Sequence, residues 1–316
     1  MVLLRWVLIV LFLSRPLAGM SQGRTVEMTI DDLPYAGDDK PASSSQAVRM
    51  AGSVNRTLLS ALKRHHAPAT GFVIESGVQQ LGAAGPSILK LWMKQGFDLG
   101  NHTYSHQNYS DVSEEEFEAE IIKGERTFRP LMERKTQSPQ IFFRFPYNDT
   151  GDTKQKHDEI ANFLAHRGYR LAPCTIDTED YFFNSVYIKM LARHNDTAAA
   201  KLRSAYLAYT SEEIDYYAAL NKQVLGYEPP QIMLLHDSRL NADLIGQILR
   251  MFVKKGYKFV SLQDAEVNPA YQIPDSLVTK YGMMWGYRWA HERGVKVNGV
   301  LEKEPPGWIG KYGETQ

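Results

Sequence analysis

Thr29-Ile30-Asp31-Asp32-Leu33-Pro34 is the stretch on which the reading of this 316-residue chain turns. The run 26–30 predicts a short buried strand, and it ends in two adjacent carboxylates and a proline that stops pairing. Like charges this close raise one another's pKa, and burial adds to the cost. A divalent cation beside them would relieve that cost, leaving one carboxylate as ligand and the other as base. An isolated Asp-Asp pair is more often a solvated turn, so the decision rests on what lies downstream.

Apolar runs recur at 71–74, 97–100, 141–145, 170–175, 232–235 and 257–262, each predicting a strand. Helical patterns at 47–66, 86–94, from Ser113, at 152–166 and at 240–255 separate most of them. Ser113-Glu114-Glu115-Glu116 is a capping box, and Gly96, Gly168 and Gly256 are helix stops. Pro173 marks the fifth strand as irregular. A long aromatic-rich insertion, 181–230, is expected to be helical, with a second capping box at Thr210–Glu213 and a stop at Gly226. Seven strands alternating with helices imply parallel βα units. Either a doubly wound sheet or a closed barrel would satisfy the alternation. Asp31-Asp32, His102, Arg144, Asp177/Asp180 and His236 all follow C-terminal strand ends, which favours a distorted (β/α)7 barrel whose strand ends converge on one mouth.

The formal net charge is zero and the pI about 7.1, so no polyanion partner such as nucleic acid is indicated. Arg5, the apolar run 6–13 and the small residues after Pro16 predict an export signal over 1–22. That run is far short of the ~20 residues a span needs, so no membrane span is expected in the mature chain. Cys174 is alone, which excludes an internal disulfide and assigns it to the core. The mature chain divides into a catalytic domain over 23–262 and a C-terminal extension, 263–316, packed on the barrel. His65 and His66 are expected at the surface.

His102-Thr103-Tyr104-Ser105-His106 sets two imidazoles four residues apart. On one turn of helix or a tight loop, that spacing aims both rings at one point. With Asp32 they make a His-His-Asp set that leaves positions open for water. Such a set also suits non-haem iron, but those sites usually lie on antiparallel barrels, which the βα alternation contradicts.

Thr29-Ile30-Asp31-Asp32, His102-Thr103-Tyr104-Ser105-His106, Arg144-Phe145-Pro146-Tyr147, Asp177-Thr178-Glu179-Asp180-Tyr181 and Leu234-Leu235-His236 follow one another in chain order. In that order the chain resembles the polysaccharide deacetylase family, the NodB-homology or carbohydrate esterase 4 group, across about 26–262. The resemblance implies Asp32, His102 and His106 as ligands of a divalent metal, usually zinc. It implies Asp31 as catalytic base, Arg144 as its holder and the Tyr147 N–H as oxyanion donor. His236 is implied as general acid, tuned by Asp180. The expected substrate is an N-acetylated polysaccharide or oligosaccharide, chitin- or peptidoglycan-like.

Two departures qualify the pattern. Leu33 stands where the family has Gly, so a more crowded mouth is expected. Tyr181 stands where it has Trp, and a phenol there would contact sugar. The insertion is expected to close one end of the groove, with Tyr181 as its floor, favouring short chains or chain ends. Five Asn-x-Ser/Thr sequons, at Asn55, Asn101, Asn108, Asn148 and Asn195, include two beside the expected mouth, which points to a bacterial host that leaves them bare and a periplasmic or extracellular address. The competing readings are hydrolysis of another ester or amide by the same residues, and a secreted carbohydrate-binding protein that has lost catalysis. Composition and motifs are silent on oligomeric state.

Overall fold

The computed structural model describes residues 23–37, 44–135 and 140–314; the expected export signal over 1–22 lies outside them. Seven parallel strands carry the fold: β1 (Thr25–Leu33), β2 (Ala69–Val73), β3 (Asp98–Asn101), β4 (Ile141–Phe143), β5 (Tyr169–Leu171), β6 (Gln231–His236) and β7 (Lys258–Phe259). Their order is β5-β4-β3-β2-β1-β6, with β7 beside the start of β1. The sheet closes where the chain beyond β5 meets β6: Ile176 bridges Met233, and Thr175 N donates to the Ile232 carbonyl. This is the expected distorted (β/α)7 barrel. Strand five is shorter than its apolar run, because Pro173 has no N–H to continue the ladder, and pairing resumes only at Ile176.

Alternation along β1 sorts its side chains. Val26, Met28 and Ile30 join the large core against the helices. Glu27, Thr29 and Asp31 take the opposite face, also buried, beside a small cluster of Phe72, Phe142, Ala172, Ile232, Leu262 and Ala265 that fills the barrel. Thr70 Oγ1 donates to Glu27 Oε1 at 3.0 Å across that interior.

Helices cover the outside: α1 (Ser44–Arg64), α2 (Glu75–Gln80), α3 (Ala84–Gln95), α4 (Glu114–Gly124), α5 (Phe128–Lys135), α6 (Lys154–His166), α7 (Asp180–Ala192), α8 (Asp196–Leu225) and α9 (Arg239–Lys254). The Ser113 capping box forms as expected. The Thr210–Glu213 box does not: both residues are buried in the middle of the continuous α8, which begins at an Asn195 cap. Packing overrides the local capping preference there. The insertion is therefore the crossover layer between β5 and β6, with α7 and α8 against each other and against α9. Phe183, Tyr187, Tyr206, Tyr209 and Tyr217 are buried in that packing.

The C-terminal extension adds α10 (Leu262–Ala265), α11 (Trp285–Glu292) and α12 (Gly307–Glu314), and it buries Trp285 and Trp289. No helix among the described residues is long and apolar enough to cross a membrane. Cys174 is buried and free.

The mouth is anchored from α1. Asn55 Nδ2 donates to the Pro34 carbonyl and to Asp237 Oδ2, while its Oδ1 accepts from Trp92 Nε1 at 2.6 Å. One buried amide thereby joins the ends of β1 and β6 to α3. Leu33 contradicts the crowded-mouth expectation. It is fully buried over Gly71, where an added Cβ would lie 2.0 Å from Leu33 Cδ1. Its side chain turns into the core, away from the opening.

Candidate active site

A cavity of about 640 Å³ opens at the C-terminal strand ends, lined in part by Asp31, Asp32, His102, His106, Tyr147 and His236. Strand β1 supplies both aspartates, and they diverge. Asp32 has left the extended conformation, with φ 64°, whereas Asp31 remains in register opposite His236. Asp31 Oδ1 accepts from Arg144 Nη1 at 3.0 Å. Burial raises the Asp31 pKa above the usual carboxylate value; Arg144, then His236, opposes that rise.

Asp32, His102 and His106 each present one ligand-type atom, all within 4.8 Å of one another. His102 Nε2 and His106 Nε2 stand 3.6 and 3.5 Å from Asp32 Oδ1. That oxygen is buried and, among the described residues, has no hydrogen-bond partner. His102 Nδ1 lies 2.9 Å from the Arg144 carbonyl, which can only accept, so Nδ1 carries the proton and Nε2 presents its lone pair to the site. Burial, then the neighbouring His106, pushes the His102 pKa down to about 3, so the ring is neutral. Two imidazoles and a carboxylate with an orphaned oxygen fit a divalent ion of the zinc type.

The loop carrying the histidines is shaped by groups that motif spacing did not reveal. Asn101 Oδ1 accepts from Thr103 N at 2.8 Å, and Glu120 Oε2 accepts from both Ser105 N and Ser105 Oγ at 2.7 Å. Asn101 had only its place before His102 to mark it. Asn101 and Asn55 are fully buried, so neither sequon offers a side chain for glycan attachment.

On the opposite wall, His236 Nδ1 donates to Asp180 Oδ1 at 2.6 Å, and His236 N to Asp180 Oδ2 at 2.7 Å. Burial alone would lower the His236 pKa, but the Asp180 charge and hydrogen bond carry it well above the usual imidazole value. Asp180 is correspondingly held below the carboxylate range, against its burial. Asn241 Nδ2, on α9, also donates to Asp180, and Asn241 Oδ1 accepts from Tyr206 Oη of α8 at 3.2 Å. Sequence reasoning missed this support, which joins α7, α8 and α9 across 61 residues. Asp177 lines the cavity as well, and burial, then Glu179 and Asp180, push it up to about 7.

Tyr147 and Tyr181 flank the opening, 61% and 55% exposed. The Tyr147 ring meets His106 edge-on at 4.6 Å between centroids, and Tyr181 meets His236 at 6.1 Å. Among the described residues, no backbone carbonyl takes the Tyr147 N–H. Of the insertion's rings only Tyr181, in the first turn of α7, lines the cavity; Phe183, Tyr187, Tyr206, Tyr209 and Tyr217 are buried in the helix packing. Gly282, from the C-terminal extension, completes the lining and was not anticipated. Five of the eight non-glycine residues with positive φ among the described residues (Asp32, His106, Tyr147, Asn148 and Glu179) line this cavity. Such conformations cost on the order of 1–3 kcal/mol each and persist where the surroundings over-determine them.

The sequence model of the polysaccharide deacetylase family matches residues 18–168, just under half of the chain. It is 27% identical over 184 residues to the peptidoglycan-N-acetylglucosamine deacetylase of Bacillus cereus, covering 53% of this chain and 62% of that protein. It is 26% identical over 214 residues to the peptidoglycan-N-acetylglucosamine deacetylase PgdA of Listeria monocytogenes, covering 67% of this chain and 42% of that one. The chain thus spans less than two thirds of either relative. Among solved structures, the Bc1960 peptidoglycan N-acetylglucosamine deacetylase superposes with a TM-score of 0.50 at 19% identity, over 78% of this chain and 89% of its own. That likeness bears on the fold. The matched span ends before Asp177, Asp180 and His236, whose placement rests on the geometry above.

If Asp32, His102 and His106 hold the ion, His102→Ala and Asp32→Asn lower metal affinity by more than the about 10–100-fold typical of outer-shell changes. Equilibrium dialysis with elemental analysis checks this, and His157→Gln, away from the cavity, keeps its metal.

Proposed function

We propose that the protein is a metal-dependent deacetylase that hydrolyses acetyl groups on an N-acetylated glycan of the peptidoglycan or chitin type. One observation carries the reading: a metal-type triad, a carboxylate–guanidinium pair and an imidazole–carboxylate pair share one 640 Å³ cavity. Asp32, His102 and His106 hold the ion, zinc being the first candidate by donor type. Bound there, it would polarise the acetyl carbonyl and acidify water.

Asp31, oriented by Arg144, takes the proton from the attacking water as the carbon–oxygen bond forms. The Tyr147 N–H donates to the oxygen on which negative charge develops. His236, kept protonated by Asp180, delivers a proton to the leaving nitrogen as the carbon–nitrogen bond breaks, leaving acetate and an amine. Tyr181 contacts the sugar at the rim. A binding protein without catalysis needs neither the buried Asp31–Arg144 pair nor the His236–Asp180 pair. We assign the barrel to residues 23–262, with 263–316 as its extension, in an exported bacterial protein.

Acetate release from chitin oligomers, peptidoglycan and acetyl-xylan, measured side by side, tests the reading. N-acetylated glycans should release acetate and lose that release on chelation. Release from acetyl-xylan alone would favour the esterase alternative, and no release from any would favour a binding protein.

The acid pair adds a pH signature. His236 acts in its protonated form, so activity is present below its raised pKa and falls as pH rises through it. Asp180→Asn removes the partner that raises it, so the alkaline limb of kcat/KM moves to lower pH by about 1–3 units. An unmoved limb would remove His236 as the acid.

A further inference from the structure

The turn that carries Tyr147 is held from outside the barrel, by the C-terminal extension. Tyr147 and Asn148 are consecutive left-handed residues, φ 57° and 52°. The turn's own hydrogen bonds, Asn148 N to the Phe145 carbonyl and Asp149 N to the Pro146 carbonyl, are those of one short helical turn. Three further contacts pin it. The Gly282 backbone lies against the Tyr147 peptide so closely that an added Cβ would fall 1.7 Å from the Tyr147 carbonyl oxygen. Arg288, 1% exposed, donates from Nη2 to the Asn148 carbonyl at 3.4 Å. Cys174 Sγ, beyond β5, lies 3.2 Å from Asn148 Oδ1, and the Cys174 carbonyl accepts from Trp285 N at 2.8 Å.

Arg288 is itself fixed. Its Nη1 donates to Asp275 Oδ2 at 2.7 Å and its Nε to the Met283 carbonyl at 3.3 Å. His157 Nε2 of α6 donates to the Asp275 carbonyl at 2.7 Å. The segment 275–288 is thus tied to the barrel at both ends of the clamp.

We propose that Gly282 and Arg288 are positioning residues of the active site, holding the Tyr147–Asn148 turn in the conformation that aims the Tyr147 N–H at the developing oxyanion. The inference rests on the deacetylase reading for its kinetic consequence, but the clamp has a readout of its own. A left-handed pair with few local bonds relaxes when its outside contacts are removed. The amide then no longer meets the oxygen in the transition state, while ground-state binding at the rim is little changed.

The test compares Arg288→Met, Arg288→Lys and Gly282→Ala by steady-state kinetics on an N-acetylated chitin oligomer, by metal content, and by hydrogen exchange across residues 145–150. Arg288→Met and Gly282→Ala should lower kcat by about 10–100-fold with KM and metal content little changed. Exchange should rise at 145–150 and stay unchanged at the end of β1. Arg288→Lys, which keeps a donor, should fall between Arg288→Met and the unchanged protein. A loss shared equally by metal content, or seen as a KM rise alone, would overturn the proposal, as would exchange at 145–150 that does not change. If Arg288→Met fails to fold, Arg288→Lys and Gly282→Ala decide by the same readouts. If the unchanged protein releases no acetate from either chitin oligomers or peptidoglycan, the deacetylase reading fails by itself. Exchange then decides the clamp: a rise confined to 145–150 sustains it, and no rise overturns it.

Discussion

The site depends on one buried charge. Arg144 is wholly inside the barrel, donating to Thr29 Oγ1, Asp31 Oδ1 and the carbonyls of Ala172 and Pro173, with its guanidinium over the Phe72 ring. A buried cation stands only when paired and hydrogen-bonded, and stripping one partner costs about 3–5 kcal/mol. The requirement is mutual. Burial raises the Asp31 pKa and the facing Arg144 opposes that rise, holding Oδ1 while Oδ2 lies 3.7 Å from His102 Nε2. The Arg144 carbonyl also receives His102 Nδ1–H, so the residue that orients the proposed base also fixes the tautomer of a proposed ligand.

Everything that feeds this point comes from a strand end. That is why so much of the arrangement was legible before any coordinates. Apolar runs and glycine stops identify strands and helices, and polar residues just beyond buried strands have few roles other than lining the mouth. Asp31, Asp32, His102, His106 and His236 line one cavity, with Arg144 behind Asp31 and Asp180 behind His236. What could not be read is what depends on distant contacts. Nothing local to Asn241 or Tyr206 marks them as supports of Asp180, and nothing around Gly282 marks it as the glycine beneath Tyr147. Leu33 shows the same limit, since which way a strand-end side chain turns depends on the space over Gly71. Thr210 and Glu213 match a capping box in type and spacing, yet their burial within α8 follows from packing over the whole helix.

Strain and support are distributed unevenly. Most of the left-handed residues gather at the cavity, and several are held by specific contacts: Thr103 Oγ1 accepts from His106 N, Asn101 Oδ1 from Thr103 N, and the Asn148 carbonyl from Arg288. The barrel alone does not supply all of these. Its C-terminal extension reaches the mouth through Gly282 and Arg288, so the extension belongs to the site's architecture as much as the strands do.

In the proposed mechanism the adjacent aspartates do different work: Asp32 binds the ion and Asp31, held by Arg144, does not. Anomalous diffraction from metal-loaded crystals, collected at the metal's absorption edge, tests this most directly. The expected result is a single peak at coordination distance from Asp32, His102 Nε2 and His106 Nε2, with Asp31 still on Arg144. A peak coordinated by Asp31, or none at the triad at saturating metal, would contradict it.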